Sequence, residues 1–487
     1  MNVTGVINKY KNSSIQVKAA LWFTACSILQ KGISFVVVPI FTRVLSTKEY
    51  GTYSLYLSWL QILTIVTSLY LYYGVFTNGM NKYDQKQDRD RYVSSMQGLT
   101  LTITFGVFLI FLVTHSVWSD FLGLSPHLIF LMFIEMAFTP ALSFWSGRQR
   151  FEYKYKKLVL ITVSKSILNP ILGLIFVFAS DDKATARVVS VVIVEVAFCG
   201  IIMIRQFVHG KCWYNYEYWK YALGLAIPLL PHYLSGMILN KGDQIMINKM
   251  VGTSEVAFYS VAYNIGMLIQ IFTNAISNSF TPWVYQKIKS KDYDGISNTI
   301  DFLLLIVGGI SLFLMFLSPE LVLIFGSSGY SSAAYVIPPV AASVFFIFLY
   351  NILAVPQFYF EKTQFLMISS ILAAGINIIL NYFFIREFGY IAAGYTTLIC
   401  YILYSIGHCI VSQKILYSYI PGHNLYNYKT IVLLSAIMIF IGVFCNFLFS
   451  YTLLRYFILL LLCIIIVFKR RELINKIGLL KKKDKHI

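Results

Sequence analysis

The sequence predicts an all-α integral membrane protein of about fourteen transmembrane helices, and three observations predict it. Of its 487 residues, 58% are hydrophobic and only 12% charged, with a mean hydropathy of +0.70; a soluble domain carries roughly a quarter charged residues. Apolar runs recur along the chain, several of them reaching the roughly 20 residues that cross about 30 Å of hydrocarbon as helix. These runs are continuous rather than alternating, which selects helices over a closed barrel, the two structures that satisfy their own backbone in lipid.

In order, the predicted spans cover residues 18–43, 51–77, 92–114, 126–147, 158–180 and 184–205, then 219–246, 254–280, 299–318, 333–356, 363–385 and 390–412, and last 429–449 and 450–469. The first is interrupted by Lys31 and followed by Arg43, without the short apolar core and A-x-A-like end of a cleaved leader, so it reads as a retained helix. Pro39, Pro140 and Pro170 fall inside the first, fourth and fifth spans, and Pro228 and Pro231 inside the seventh. Each removes a backbone hydrogen bond and predicts a kink. Only Phe449-Ser450-Tyr451-Thr452 separates the last two spans, with Arg455 just beyond.

The net charge of +18 does not point to nucleic acid, because the cations lie between apolar runs and in the tail. With the N-terminus inside, the inward loops hold Lys82, Lys86, Arg89 and Arg91, then Arg148, Arg150, Lys154, Lys156 and Lys157, then Lys287, Lys289 and Lys291. Residues 298–361, which include an outward loop, contain no Lys or Arg. This asymmetry predicts both termini on the cytoplasmic side of the membrane. Seven cysteines without CxxC spacing read as small buried residues, so neither a disulfide framework nor a metal or other cofactor is expected. No loop is long enough for an extramembrane domain, no carboxylate cluster offers catalysis, and no G-x-x-x-x-G-K-[ST] loop offers ATP chemistry. A transporter rather than an enzyme is the expectation.

Two segments match at an offset of 206 positions: Arg43-Val-Leu-Ser-Thr47-Lys-Glu49-Tyr-Gly-Thr-Tyr53-Ser54 and Lys249-Met-Val-Gly-Thr253-Ser-Glu255-Val-Ala-Phe-Tyr259-Ser260. Each is the first hairpin of a six-helix half. An even number of helices per half makes the repeat parallel, with a substrate path between the halves.

The run Ile28-Leu-Gln-Lys31-Gly-Ile-Ser-Phe-Val-Val-Val-Pro39-Ile-Phe-Thr-Arg43-Val-Leu-Ser46, followed by Glu49-Tyr-Gly51-Thr-Tyr, resembles the opening helix and turn of the Wzx-type polysaccharide flippases. So do Tyr259-Ser-Val-Ala-Tyr263-Asn264, Phe280-Thr-Pro282-Trp283 and Phe388-Gly389-Tyr-Ile-Ala-Ala393-Gly394-Tyr-Thr-Thr397. The resemblance implies the multidrug/oligosaccharidyl-lipid/polysaccharide exporter fold, two six-helix bundles in a V. It divides the chain into bundles at 1–210 and 211–415 and an extra helix pair with a basic tail at 416–487. It implies an undecaprenyl-pyrophosphate-linked sugar repeat as cargo, with a polysaccharide polymerase and a chain-length regulator as candidate partners. A multidrug exporter of the same superfamily, and a membrane polymerase, are the competing readings.

A pyrophosphate needs fixed cations, and a cation within a membrane span marks a functional site by default. Lys31 lies about 20 Å into its helix at 1.5 Å per residue, and either binds substrate or pairs with Glu135. Lys165 is shallower and either binds substrate or reaches the head groups. Lys241 and Asp243, two apart, face one ligand only if Pro228 and Pro231 break their helix. Arg43 and Lys249 form an exit-side cation pair or cap helix C-termini. Glu135 and Glu195, with Asp243, are candidates for ion coupling; salt bridges to the buried lysines are the alternative. The eighth span carries a polar line, Ser260, Asn264, Asn274 and Asn278, that lines a wet cavity or bonds neighbouring helices. His232 reads as structural and Asp301 as solvated.

Overall fold

The structure, a computed structural model, describes residues 13–464, which form helices and connecting turns with no strand. The N-terminal half holds α1 (Ile15–Val44), α2 (Thr47–Ser68), the short α3 (Val75–Lys82), α4 (Lys86–Val113), the short α5 (His115–Leu122), α6 (Pro126–Phe151), α7 (Tyr155–Phe178) and α8 (Lys183–Gly210). The second half holds α9 (Tyr216–Met250), α10 (Thr253–Gly266), α11 (Ile269–Lys289), α12 (Ile296–Phe316), the short α13 (Ser318–Gly326), α14 (Ile337–Tyr359), α15 (Gln364–Phe388) and α16 (Ile391–Tyr419). α17 (Tyr428–Phe444) and α18 (Thr452–Ile464) follow.

Among the described residues, twelve segments are long and apolar enough to cross a membrane. The second expected span is the 22-residue α2, long enough but more polar, and begun four residues earlier than its apolar run suggests. A capping box explains the early start. The Ser46 hydroxyl accepts from the Glu49 amide at 3.3 Å, and the Ser46 amide donates to the Glu49 carboxylate at 2.7 Å. The fourteenth expected span has 13 described residues, α18, and its remainder lies outside the described residues. The eighth expected span is two helices, α10 and α11, joined by a break at Met267 and Leu268. The seventh, by contrast, runs unbroken for 35 residues through Pro228 and Pro231.

The basic ends of the first half's helices gather at one end of the molecule, where the starts of α1, α4 and α7 meet the ends of α6 and α8. At the opposite end the two repeat copies meet each other. α2 packs along α10, and a methyl group added at Gly51 would sit 1.9 Å from the Thr253 carbonyl oxygen, so only glycine permits this approach. The Thr42 hydroxyl donates to the Phe325 carbonyl at 2.7 Å, and the Tyr50 and Tyr330 rings meet edge to face at 6.3 Å. One apolar core, with Phe41, Leu55, Tyr56, Val256, Tyr259 and Val336, continues across both halves there. A second lies within the second half, around Leu304, Phe345, Leu353 and Tyr401.

The repeat is matched in sequence but not in packing. α9 packs along α2, whereas the repeat-related pair, α1 and α10, makes almost no contact.

Candidate functional site

Between α1 and α10 lies a cavity of about 390 Å³. α1 contributes Gln30, Ser34 and Phe41; α2 contributes Tyr50 and Tyr53; α7 contributes Lys165 and Asn169, one turn apart on one face. α8 contributes Arg187, and Asn264 of α10 closes the wall from the second half.

Arg187 is the best-anchored group. The side chain of Asp182 caps α8 by accepting from the Thr185 amide at 3.0 Å, which sets Arg187 in the second turn. Its guanidinium donates to the Asn169 side-chain oxygen at 2.8 Å, the Asn169 carbonyl at 3.3 Å and the Tyr53 hydroxyl at 3.3 Å. It lies 4.3 Å from the centre of the Phe41 ring and 5.0 Å from that of Tyr53, a stacking that a planar cation favours. A methyl group at Gly173 would fall 2.6 Å from this guanidinium, so the glycine makes room for it. Arg187 is 3% exposed, its Nε–H has no acceptor, and no carboxylate pairs with it among the described residues.

Carboxylates are nearby but engaged off the cavity wall. Lys165 pairs with Glu195 at 2.5 Å, and Glu195 also accepts from the Cys199 thiol at 3.2 Å. Glu135 is buried and accepts from the Tyr56 hydroxyl at 2.8 Å. The wall therefore presents two cations, several amide and hydroxyl groups, and no carboxylate. Such a surface suits an anion with sugar-like hydroxyls.

A second polar centre is built around Asp243, wholly buried where α9, α10, α15 and α16 meet. Its carboxylate accepts from Asn381 at 2.6 Å, from Thr397 at 2.7 Å and from the Tyr259 hydroxyl. Asn381 also donates to Asn377 at 3.1 Å and accepts from Thr396. No cation faces this carboxylate among the described residues. Three donors thus converge on one buried negative charge.

Of the sequence-predicted residues, Lys165 and Asn264 line the cavity, with Glu195 and Glu135 immediately behind it. Lys31 is exposed on α1 beside Gln30, off the cavity wall, and Glu135 pairs with Tyr56 rather than with it. Arg43 donates to the Leu323 and Ile324 carbonyls at 3.2 and 2.9 Å, capping α13 across the repeat interface, while Lys249 lies over the Phe121 ring at 4.3 Å. Because α9 is unbroken, Lys241 and Asp243 face apart: Lys241 is half-buried near the Tyr263 ring, 5.8 Å away. Asn274 and Asn278 are exposed on α11. His232 bonds Ser370 at 2.8 Å. Asp301 is not solvated as expected; it accepts from Asn427 at 3.0 Å and Thr430 at 3.2 Å, tying α12 to the start of α17. Sequence reasoning missed Arg187. The available signal was an arginine a few residues into an apolar run, with Asn169 beside a proline on the preceding span.

The family model described as polysaccharide biosynthesis protein matches residues 17–287, and the model named MatE matches residues 228–383. A protein of the Lsg locus of Haemophilus influenzae is 20% identical over 281 residues, 56% of this chain and 67% of that protein. An uncharacterized membrane protein of the same organism is 22% identical over 271 residues, 53% of this chain and 62% of that protein. Among solved structures, the lipid II flippase MurJ in an inward-closed conformation is similar over 93% of this chain and 99% of its own, at 13% identity and a TM-score of 0.70. An inward-facing multidrug resistance MATE family transporter of the MOP superfamily is similar over 84% of this chain and 99% of its own, at 14% identity and a TM-score of 0.62.

Proposed function

This chain belongs to the polysaccharide biosynthesis protein family, multi-pass membrane proteins, and from that premise we propose that it is a flippase of the MOP superfamily whose cargo is an undecaprenyl-pyrophosphate-linked oligosaccharide repeat. The chain flips this lipid from the cytoplasmic to the outer leaflet of a bacterial inner membrane, with both termini cytoplasmic. One observation carries the reading: the cavity wall holds Arg187 and Lys165 and no carboxylate. A pyrophosphate is a concentrated anion, and the planar guanidinium with a free Nε–H is a fitting partner for its oxygens. Gln30, Asn169 and Asn264 offer hydrogen bonds to sugar hydroxyls, and Tyr50 and Tyr53 offer ring faces. A cavity for organic cations would call for the opposite charge, which argues against the multidrug reading.

Transport follows from alternating access. The repeat interface at Gly51 and Thr253 parts while the basic ends close, and the head group passes between the bundles 1–210 and 211–415. Asp243 is the ion-coupling group: its charged carboxylate ties α9 to α15 and α16 through Asn381 and Thr397, and uptake of a proton or a monovalent cation by that carboxylate would alter the tie. Glu135 and Glu195, beside Lys165, are the further candidates for ion coupling. A polysaccharide polymerase and a chain-length regulator act on the delivered repeats.

The test is deletion of the gene in its host, followed by assay of surface polysaccharide and of the sidedness of lipid-linked repeats. Complete repeats stranded on the cytoplasmic leaflet are expected. Single repeats reaching the outer face unpolymerised would identify a polymerase instead, and unchanged glycan with altered drug sensitivity an exporter.

A further inference from the structure

The basic end of the first half encloses a second and larger hollow, about 990 Å³, between the starts of α1, α4 and α7 and the ends of α6 and α8. Seven Lys and Arg side chains line it against two carboxylates, Asp90 and Glu152. Both carboxylates are spoken for. Arg148 pairs with Asp90 and, at 2.8 Å, with Glu152, and Lys154 reaches Glu152 at 2.5 Å. Glu152 lies beyond the end of α6; burial alone would raise its pKa, but the hydrogen bonds from Lys154 and Arg148 bring it below the usual carboxylate range, so it stays charged and engaged. Lys86, Lys156, Lys157 and Arg205 line the same hollow with no carboxylate partner among the described residues.

Cations collect at cytoplasmic ends for topological reasons alone, but the chain contains its own control. The repeat-related hollow in the second half, about 580 Å³, is lined by Lys362, Val411 and Ile415, the positions 206 residues beyond Lys156, Arg205 and His209. It carries two cations, Lys362 and Lys414, and one acid, Glu361. Topology applies equally to both halves, so it does not account for the difference. Four like charges lining one hollow without a carboxylate partner suit a multiply charged anion; basic pockets between membrane helices take phosphate head groups on this ground.

Position on α7 says where the anion goes next. Lys157 and Ile161 line this hollow, and Lys165 and Asn169 line the first cavity, three successive steps of four residues along the helix. Lys157 and Lys165 are two turns apart, about 12 Å. We propose that the basic hollow is a loading site that binds the diphosphate of the cargo before it moves along α7 to Lys165 and Arg187. The binding chemistry stands on the hollow itself; the identity of the cargo rests on the function proposed above.

The experiment is titration of purified full-length protein, in nanodiscs of zwitterionic lipid, with inorganic pyrophosphate by calorimetry. Two classes of site are expected in the unaltered protein. Lys156→Gln combined with Arg205→Gln, both at exposed positions, should weaken one class at least tenfold, and Arg187→Gln the other. Lys362→Gln, at the repeat-related position, should change neither. Pyrophosphate binding unaltered by the Lys156 and Arg205 substitutions overturns the loading site, while the flippase reading is judged separately by the sidedness of lipid-linked repeats. If phosphatidylglycerol in the disc abolishes the class of site lost in that double variant, the hollow holds a resident anionic lipid and the loading role falls.

Discussion

At the scale of single residues, the first-half cavity turns on Arg187. It is held by Asn169 and Tyr53, stacked on Phe41, and left with an unused donor. A hydrogen bond to a charged group contributes about 1.5–3 kcal/mol, so Arg187→Gln should reduce flipping about ten- to hundredfold. Arg187→Lys should recover only part, because an ammonium cannot reproduce the fork or the stacking. Lys31→Ala should reduce flipping less than Arg187→Gln, since Lys31 is off the wall; both are read in vesicles reconstituted with lipid-linked repeats. Asp243→Asn keeps the hydrogen-bonding shape but removes the charge, and should abolish any dependence of transport on the proton or cation gradient while leaving cargo binding intact. A gradient dependence that persists in that variant would discard Asp243 as the coupling group. Lys165, Asn264 and Asp243 were legible in the sequence because a polar residue in an apolar run stands out. Arg187 stood close to a span boundary, where a cation has an innocent explanation at the interface. Which carboxylate Lys165 meets was not legible either, as the choice of Glu195 over Glu135 depends on how α7 and α8 are rotated about their axes.

At the scale of elements, the clearest test is how α18 is fastened. Arg455, 2% exposed, donates to the Phe316 carbonyl at 2.7 Å and to both oxygens of Glu320 on α13, at 2.6 and 2.7 Å. Arg455→Ala should cost about 2–3 kcal/mol, between the values for exposed and buried pairs, measured by thermal unfolding in detergent. Burial raises the pKa of Glu320, but the hydrogen bonds from Arg455 and Tyr456 outweigh it and hold the carboxyl below its ordinary value. A depressed folded-state pKa contributes stability above the unfolded value of about 4.3 and loses it as pH falls through the folded one. Acidification below about pH 4 should therefore weaken the α13–α18 contact, and Glu320→Gln should remove that part of the acid sensitivity. The turn before α18 and Arg455 were both visible in the sequence; the partner was not, because Glu320 lies 135 residues away. Proline was a poor guide to these elements. Pro228 and Pro231 suggested a break that α9 does not have, while the break at Met267 and Leu268 occurs where no proline stands.

At the scale of the whole molecule, the all-helical membrane architecture and the 206-residue repeat were legible in the sequence, but that the two copies pack on each other at Gly51 and Thr253 was not, because it depends on how the halves close together. A bulky side chain at Gly51 should hold the two halves apart at that end. In a Gly51→Leu background, a cysteine replacing Thr253 should react faster with a membrane-impermeant maleimide than in the Gly51 protein. Unchanged reactivity would mean the contact is incidental to opening.

The departure from symmetry reaches further than the symmetry itself. α9 is sealed against α2, but α1 and α10 stand apart with the cavity between them. A pore must surround its passenger, and a space of about 390 Å³ is too small to surround a polyprenyl chain. A cleft with one unstitched edge has no such obligation. For the lipid-linked cargo proposed above, the sugar end would travel inside the protein while the hydrocarbon trailed through the gap between α1 and α10, so that the cargo would never be topologically enclosed. The size of the polyprenol then drops out of the problem, and only the head group has to fit.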